Sequence, residues 1–228
     1  MQINNYLKFI IFCFIVFLSF DSHTDDGFSI SAVIETPQVE INGNADDPAI
    51  WFNEVDPSLS IVFGTDKYNG VYSYNLSGDV IGFSKSGSMN NIDLRTLNDN
   101  TYIFTTDSSN NTVNVWVYKN SYLHNKSKEG SFALDRIPHH TSKVNFLAYG
   151  LCGGLSKKDE VIIFVTEAKG PGVQLWKFDD VKLSLLNTFN NSNAYESEGC
   201  VFDDENQKFF ISEENKKGVI RSYSLTNK

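Results

Sequence analysis

The stretch "IVFGTDKYNGVYSY", residues 61–74, places two short runs of β-branched and aromatic residues on either side of an Asp-Lys-Tyr-Asn-Gly turn. Apolar runs of that length around an Asn-Gly turn read as a β-hairpin. The same grammar returns three times: "YIFTTDSSNNTVNVW" at 102–116, "IIFVTEAKGPGVQLW" at 162–176 and "FFISEENKKGVIRSY" at 209–223. Ahead of each hairpin stands another short run: "DPAIWF" at 47–52, "NIDLRT" at 91–96, "YGLCGG" at 149–154 and "EGCVFD" at 198–203. The valines after the turns, Val71, Val113, Val173 and Val219, are 42, 60 and 46 residues apart. A period in that range, with three or four strands per unit, is the signature of propeller blades.

Helical periodicity is nearly absent, so the chain reads as all-β, a β-propeller with four blades visible. Outer fourth strands are expected at "DVIGFSK" (79–85), "GSFALD" (130–135) and "KLSLLNTF" (182–189). The fourth unit shows none. The segment "FSISAVIETPQVEI" (28–41) reads as a spare strand able to complete a terminal blade and cover its edge, because unpaired strand edges invite association.

Residues 1–26 differ in character: Lys8 precedes the apolar run Phe9–Leu18, and the chain turns polar from Asp21. That run is shorter than the roughly 20 residues a spanning helix needs, and it reads as a signal peptide or, alternatively, a retained N-terminal anchor. Residues 27–228 are then the propeller domain, in a secreted, periplasmic or extracellular protein. Beyond the leader, Cys152 and Cys200 remain, compatible with one blade-to-blade disulfide or with two packed thiols. The net charge of −9 argues against a nucleic-acid partner, since binding a phosphate backbone needs clustered Lys and Arg. A phosphorylated ligand remains compatible when divalent cations stand between it and the protein.

"NADDPAIW" (44–51) sets Asp46 against Asp47 at the start of an inner strand. Two adjacent carboxylates need water or a cation to screen them, so the pair is a turn or half of a metal site. In a propeller the inner strands converge on one axis, which makes neighbours of Asp46, Asp47, Asp93, Tyr149 and Glu198. Calcium takes six to eight oxygen ligands, and a ring of acids suits it.

The motifs "ADDPAIW", "TDKYNGVYSYNLSG", "NNIDLR", "YGL" and "SEGCVFDDENQKFFISEE", in that order, resemble the β-propeller phytases. The resemblance runs from about Thr36 to about Leu225. It implies a secreted, calcium-dependent phosphomonoesterase that hydrolyses myo-inositol hexakisphosphate (phytate), with metal-activated water as nucleophile. It implies Asp46, Tyr149, Glu198 and Glu214 as catalytic calcium ligands, Asp47 as a further metal ligand, and Lys67 and Lys169 as contacts to substrate phosphate. That family is six-bladed, so the expectation is a C-terminally truncated member, a complete chain being a monomer. Two positions depart from the pattern: no arginine follows the second strand of the second unit, where Ser108 stands, and Gly170 replaces an acid after Lys169. These departures favour the alternative, a non-catalytic propeller used for binding or assembly.

Overall fold

The computed structural model describes residues 30–40, 42–215 and 217–225; the leader at 1–26 lies outside them. Four antiparallel sheets follow one another along the chain. The first runs β1 (Ala45–Trp51), β2 (Ile61–Asp66), β3 (Gly70–Tyr74), β4 (Val80–Ser84), each strand pairing with the next. The second runs β5 (Met89–Leu97), β6 (Asn100–Asp107), β7 (Thr112–Lys119), β8 (His140–Lys143). The third runs β9 (Ala148–Leu155), β10 (Val161–Glu167), β11 (Gly172–Phe178), β12 (Leu183–Asn190), and the fourth has β13 (Ser197–Asp203), β14 (Lys208–Glu213) and β15 (Ile220–Ser224). The inner strands pack in sequence, β1 on β5, β5 on β9 and β9 on β13. This is the β-propeller arrangement read from the repeat.

A short motif at the end of each second strand, Phe-x-(Thr/Ser)-acid, explains why the units repeat. The acid staples its own turn: Asp66 accepts from the backbone of Asn44 and Tyr68, Asp107 from Ser109 and Asn110, Glu167 from Gly172, Glu213 from Val219. Such local acceptance pre-organises a turn without help from the rest of the fold. The hydroxyl before the acid reaches the next sheet. Thr65 Oγ1 donates to Asn90 O at 2.8 Å, Thr106 Oγ1 to Tyr149 O, and Thr166 Oγ1 to Ser197 O. The ring two residues earlier fills the space between sheets. Phe63 belongs to the core shared by the first two sheets, Phe104 to that of the second and third, and Phe164 to that of the third and fourth. A Cβ on Gly153 would run into the Phe104 ring, so that residue type is set by the neighbouring sheet's aromatic.

Four expectations need correction. The outer strand of the second sheet is His140–Lys143, a polar edge; Phe132 and Leu134 of "GSFALD" are instead buried in the first core cluster. The chain reaches them through a helix, α1 (Asn120–Glu129), whose buried positions are Leu123 and Ser127. It ends at Gly130, which takes a left-handed φ of 67° and donates to Lys126 O and Ser127 O. Within 28–41, the described residues 30–40 form no strand. Thr36 and Glu40 meet the hydroxyls of Tyr74 and Tyr72 on the first sheet, so the described residues 36–40 lie on the first sheet and not as an outer strand of the fourth. Finally, Ser212 pairs with Ile220, as Thr65 does with Val71 and Thr166 with Val173, which makes Ile220, not Val219, the repeat residue. The fourth turn is one residue longer than those of the second and third sheets.

The latch yields a stability test. Thr106→Val keeps the shape but leaves the Tyr149 carbonyl without its donor, and is expected to cost about 1–3 kcal/mol in denaturant unfolding. Ser212→Ala, whose hydroxyl reaches no other sheet, is expected to change stability by less than about 0.5 kcal/mol.

Candidate active site at the mouth of the inner strands

Each inner strand carries a β-bulge at the same place. The register slips between Ala45 and Pro48, Met89 and Ile92, Ala148 and Leu151, and Ser197 and Cys200. The bulged pairs are therefore Asp46–Asp47, Asn90–Asn91, Tyr149–Gly150 and Glu198–Gly199. A bulge interrupts the alternation of a strand and re-aims its side chains, and here it aims one residue from every sheet toward a common mouth.

Residues of the first, third and fourth sheets meet there around Lys67. Its ammonium lies 3.0 Å from Asp46 Oδ1 and 3.8 Å from Glu198 Oε1, and 5.6 Å from the centroid of the Tyr149 ring. Tyr149 donates its hydroxyl to Glu214 Oε2 at 3.1 Å. Lys67 and Glu214 hold equivalent positions directly after the stapling acids. The backbone N–H of Lys67 bonds Asn44 O, that of Ser108 bonds Ser88 O, that of Ala168 bonds Leu147 O and that of Glu214 bonds Glu196 O. Lys169 is thus one residue out of step with Lys67. Its backbone is left-handed (φ 58°), its N–H donates to Glu196 Oε1 at 3.2 Å, and it makes no ion pair among the described residues.

Asp47 points toward the second sheet, where its Oδ2 accepts from Asn91 Nδ2 at 3.1 Å and from Ile92 N at 3.0 Å. Asn90 donates to Asn91 Oδ1 at 2.7 Å and to Glu198 Oε1 at 3.5 Å. These two asparagines are site residues that the sequence reading passed over; their place in the "NNIDLR" motif, two before Ile92, was the available signal. Asp93 lies beyond the bulge. It pairs with Arg95 at 3.0 Å and accepts from Gly153 N at 2.9 Å, and Arg95 also holds Asp204 at 3.0 Å. That network ties the second, third and fourth sheets together and keeps Asp93 out of the mouth.

The electrostatics follow from one cation facing an excess of acids. Burial pushes the Glu198 carboxyl above its ordinary pKa; Lys67 opposes this, while Asp46 and Glu214 add to it. Burial likewise raises Asp47 despite its two donors. Burial works to lower Lys67, but the bond to Asp46 and the charges of the acids prevail, and it is held protonated. Burial and the Glu198 and Glu214 charges raise Tyr149 far above the usual phenol range.

The donor chemistry fits a hard divalent ion. Carboxylates, a phenol oxygen and main-chain carbonyls are calcium ligands, and the uncompensated negative charge is what such an ion relieves. Among the described residues no three His, Cys, Asp or Glu side chains are grouped so as to hold an ion, and the Lys67 ammonium contacts both Asp46 and Glu198.

The sulfurs of Cys152 and Cys200 lie within bonding distance across the contact of β9 with β13, their Cα atoms 5.7 Å apart. A bond there closes a separation of 48 residues, and its reduction is expected to lower stability by about 3–4 kcal/mol. Migration on a non-reducing gel that reductant leaves unchanged would count against the bond. Glu198 supplies a pH test in chelator. Its folded pKa is raised, so its ionised form disfavours the folded state at neutral pH. Glu198→Gln is therefore expected to unfold at higher denaturant than the parent at pH 7. That advantage should shrink as pH falls through the folded pKa of Glu198 and vanish near its unfolded value, about 4.3.

The sequence matches the model of the Phytase family over residues 12–226. It is 39% identical, over 69 residues, to the 3-phytase of Bacillus subtilis (strain 168); that match covers 30% of this chain and 18% of the relative's length. Among solved structures, the dihydro-heme d1 dehydrogenase NirN in complex with DHE aligns with 12% identity at a TM-score of 0.47, over 72% of this chain and 33% of that one. On the family match, which spans nearly the whole sequence, the chain belongs to the phytase family.

Proposed function

We propose that the protein is a secreted, calcium-dependent phosphomonoesterase that releases phosphate from myo-inositol hexakisphosphate. One observation carries this reading: Asp46, Tyr149, Glu198 and Glu214, from three different sheets, meet around one protonated lysine. An acidic mouth alone repels a polyphosphate. Asp46, Glu198, Glu214 and the Tyr149 oxygen, with the remaining oxygen of Asp47, are the groups to hold calcium. When bound, calcium neutralises phosphate charge and polarises the phosphorus toward attack by water.

The chain's own residues do the rest. Lys67 offers a point charge to a phosphate oxygen and exchanges its contact with Asp46 for one with substrate. Tyr149 remains a hydrogen-bond donor through the physiological range and fixes Glu214. Asn91 and the Ile92 N–H hold one oxygen of Asp47, which leaves the other free of them. Lys169, on the same rim, is a second phosphate contact. No histidine stands at the mouth among the described residues: His124 bonds Asn53, His139 bonds Asp135, and His140 packs on Phe178. This supports a reading with water as the nucleophile, in which the histidine-activated seryl or cysteinyl chemistry is not invoked. The apolar run ahead of Asp21 supports export; among the described residues no helix is long and apolar enough to cross a membrane.

A binding role without turnover is favoured by the engagement of Lys67 with two carboxylates in place of free solvent. The two readings separate in one assay. Phosphate release from phytate is expected with calcium and lost with chelator, and Lys67→Ala is expected to raise KM about tenfold for one charged hydrogen bond. Calcium-induced thermal stabilisation without any release from the folded protein would establish the binding role and overturn the enzyme.

A further inference from the structure

At the ends of β1 and β5 away from the mouth, residues of the first two sheets and of the start of α1 line a cavity of about 440 Å³. That size lies within the range of small-molecule sites. Trp51, 2% exposed, is part of the lining, and its indole N–H has no acceptor among the described residues. The indole of Trp116, by contrast, donates to Asp135 O at 2.8 Å. A buried N–H without an acceptor costs free energy, so the cavity holds an unmet donor.

The hydrogen bonds around the cavity fix what its other groups offer. Asn53 Oδ1 accepts from the backbone N–H groups of Val55 and Asp56, so the amide NH2 of Asn53 meets Nδ1 of His124 at 3.0 Å. Nδ1 is thereby an acceptor, and the ring proton stands on Nε2 as a donor. Thr101 spends its hydroxyl proton on Asn120 Oδ1 at 2.6 Å. Thr96, 3.1 Å from Thr101 Oγ1, therefore donates to it and keeps its own lone pairs for another donor. The helix adds donors: its N-cap, Lys119, supplies no side-chain acceptor to the N–H groups of the first turn, where Ser121 lines the cavity. The charged side chains of the lining are Glu54 and Asp99, and no Lys or Arg joins them.

We infer that this cavity binds a neutral cyclic polyol, a monosaccharide or a cyclitol, at the end of the sheets opposite the acidic mouth. A hydroxyl group accepts from an N–H and donates to an oxygen at once, which answers the donors Trp51 and His124 and the acceptors Thr96, Glu54 and Asp99 together. An anion answers only the donors. Lys119 pairs with Asp99 at 3.5 Å and offsets one acid, but Glu54 remains to repel phosphate from the start of the helix. The site stands independently of the hydrolysis proposed above.

Saturation-transfer NMR on the full chain tests it, in chelator so that the mouth carries no divalent ion, with myo-inositol, glucose and inorganic phosphate as probes. Transfer to the ring protons of myo-inositol or of glucose is expected, and which of the two responds tells a cyclitol site from a sugar site. Phosphate at equal concentration is expected to displace neither. His124→Phe removes the Nε2 donor and Thr96→Val the acceptor, and each is expected to weaken binding about five- to tenfold, with folding checked by circular dichroism and melting. Because His124 also holds Asn53, an unfolded His124→Phe leaves the test to Thr96→Val, whose side chain is exposed. No transfer to either ring at high millimolar concentration, displacement of the bound polyol by phosphate, or binding that the folded variants leave unchanged would each overturn the inference.

Discussion

A hydroxyl on one sheet donating to a main-chain carbonyl in the bulge region of the next is the contact on which the rest of the molecule depends. It occurs at Thr65, Thr106 and Thr166, always one residue before a turn-stapling acid. A buried hydroxyl and a buried carbonyl each cost free energy unless paired, so the bond confines the placement of adjacent sheets to within one residue: the acceptor is the first bulge residue at Asn90 and Tyr149 and the residue before the bulge at Ser197. That placement aligns the bulges, and the aligned bulges bring Asp46, Asn90, Tyr149 and Glu198 to one mouth although they are spread over about two-thirds of the sequence. The side chains of the candidate site thus stand at irregular positions in otherwise regular strands.

The mouth is held at an electrostatic cost. Raised pKa values at Glu198 and Asp47 mean that folding brings carboxylates together against burial, with Lys67 compensating part of the charge. Perturbed titration in a cleft built from distant strands marks functional sites more often than scaffolding. The contrast with Asp66 and Asp107 is instructive. Those acids end strands too, but their oxygens accept from the backbone N–H groups of their own turns, which turns them away from a shared ligand. Asp93 is satisfied in a third way, by Arg95 and Gly153 N.

The fold was legible because its unit is short and locally encoded: turn residues, strand runs and the Phe-x-(Thr/Ser)-acid ending all sit within about 15 residues. That Asp46, Tyr149, Glu198 and Glu214 come together was legible from motif order. What escaped depended on tertiary context. The helix Asn120–Glu129 buries only Leu123 and Ser127, too little for an amphipathic pattern to show. The edge strand His140–Lys143 has no apolar alternation, because an edge strand half in solvent needs none. "GSFALD" resembled a strand because Phe132 and Leu134 are buried, yet they belong to a loop that packs into the first core. Asn90 and Asn91 carry no charge, and only the bulge register shows them to be the second sheet's counterparts of Asp46 and Asp47. The offset of Lys169 and the longer fourth turn are single-residue matters of register, to which runs and periods are blind.

The central claim is that Asp46, Tyr149, Glu198 and Glu214 form one cation-binding mouth. Tyr149 makes it directly measurable, since a tyrosine beside a bound terbium ion sensitises the ion's luminescence, and terbium takes the same hard oxygen ligands as calcium. The account predicts sensitised emission that calcium displaces and that both Tyr149→Phe and Glu198→Gln abolish in folded protein. Emission that persists undiminished in both variants, or none from the parent protein under saturating terbium, would contradict it.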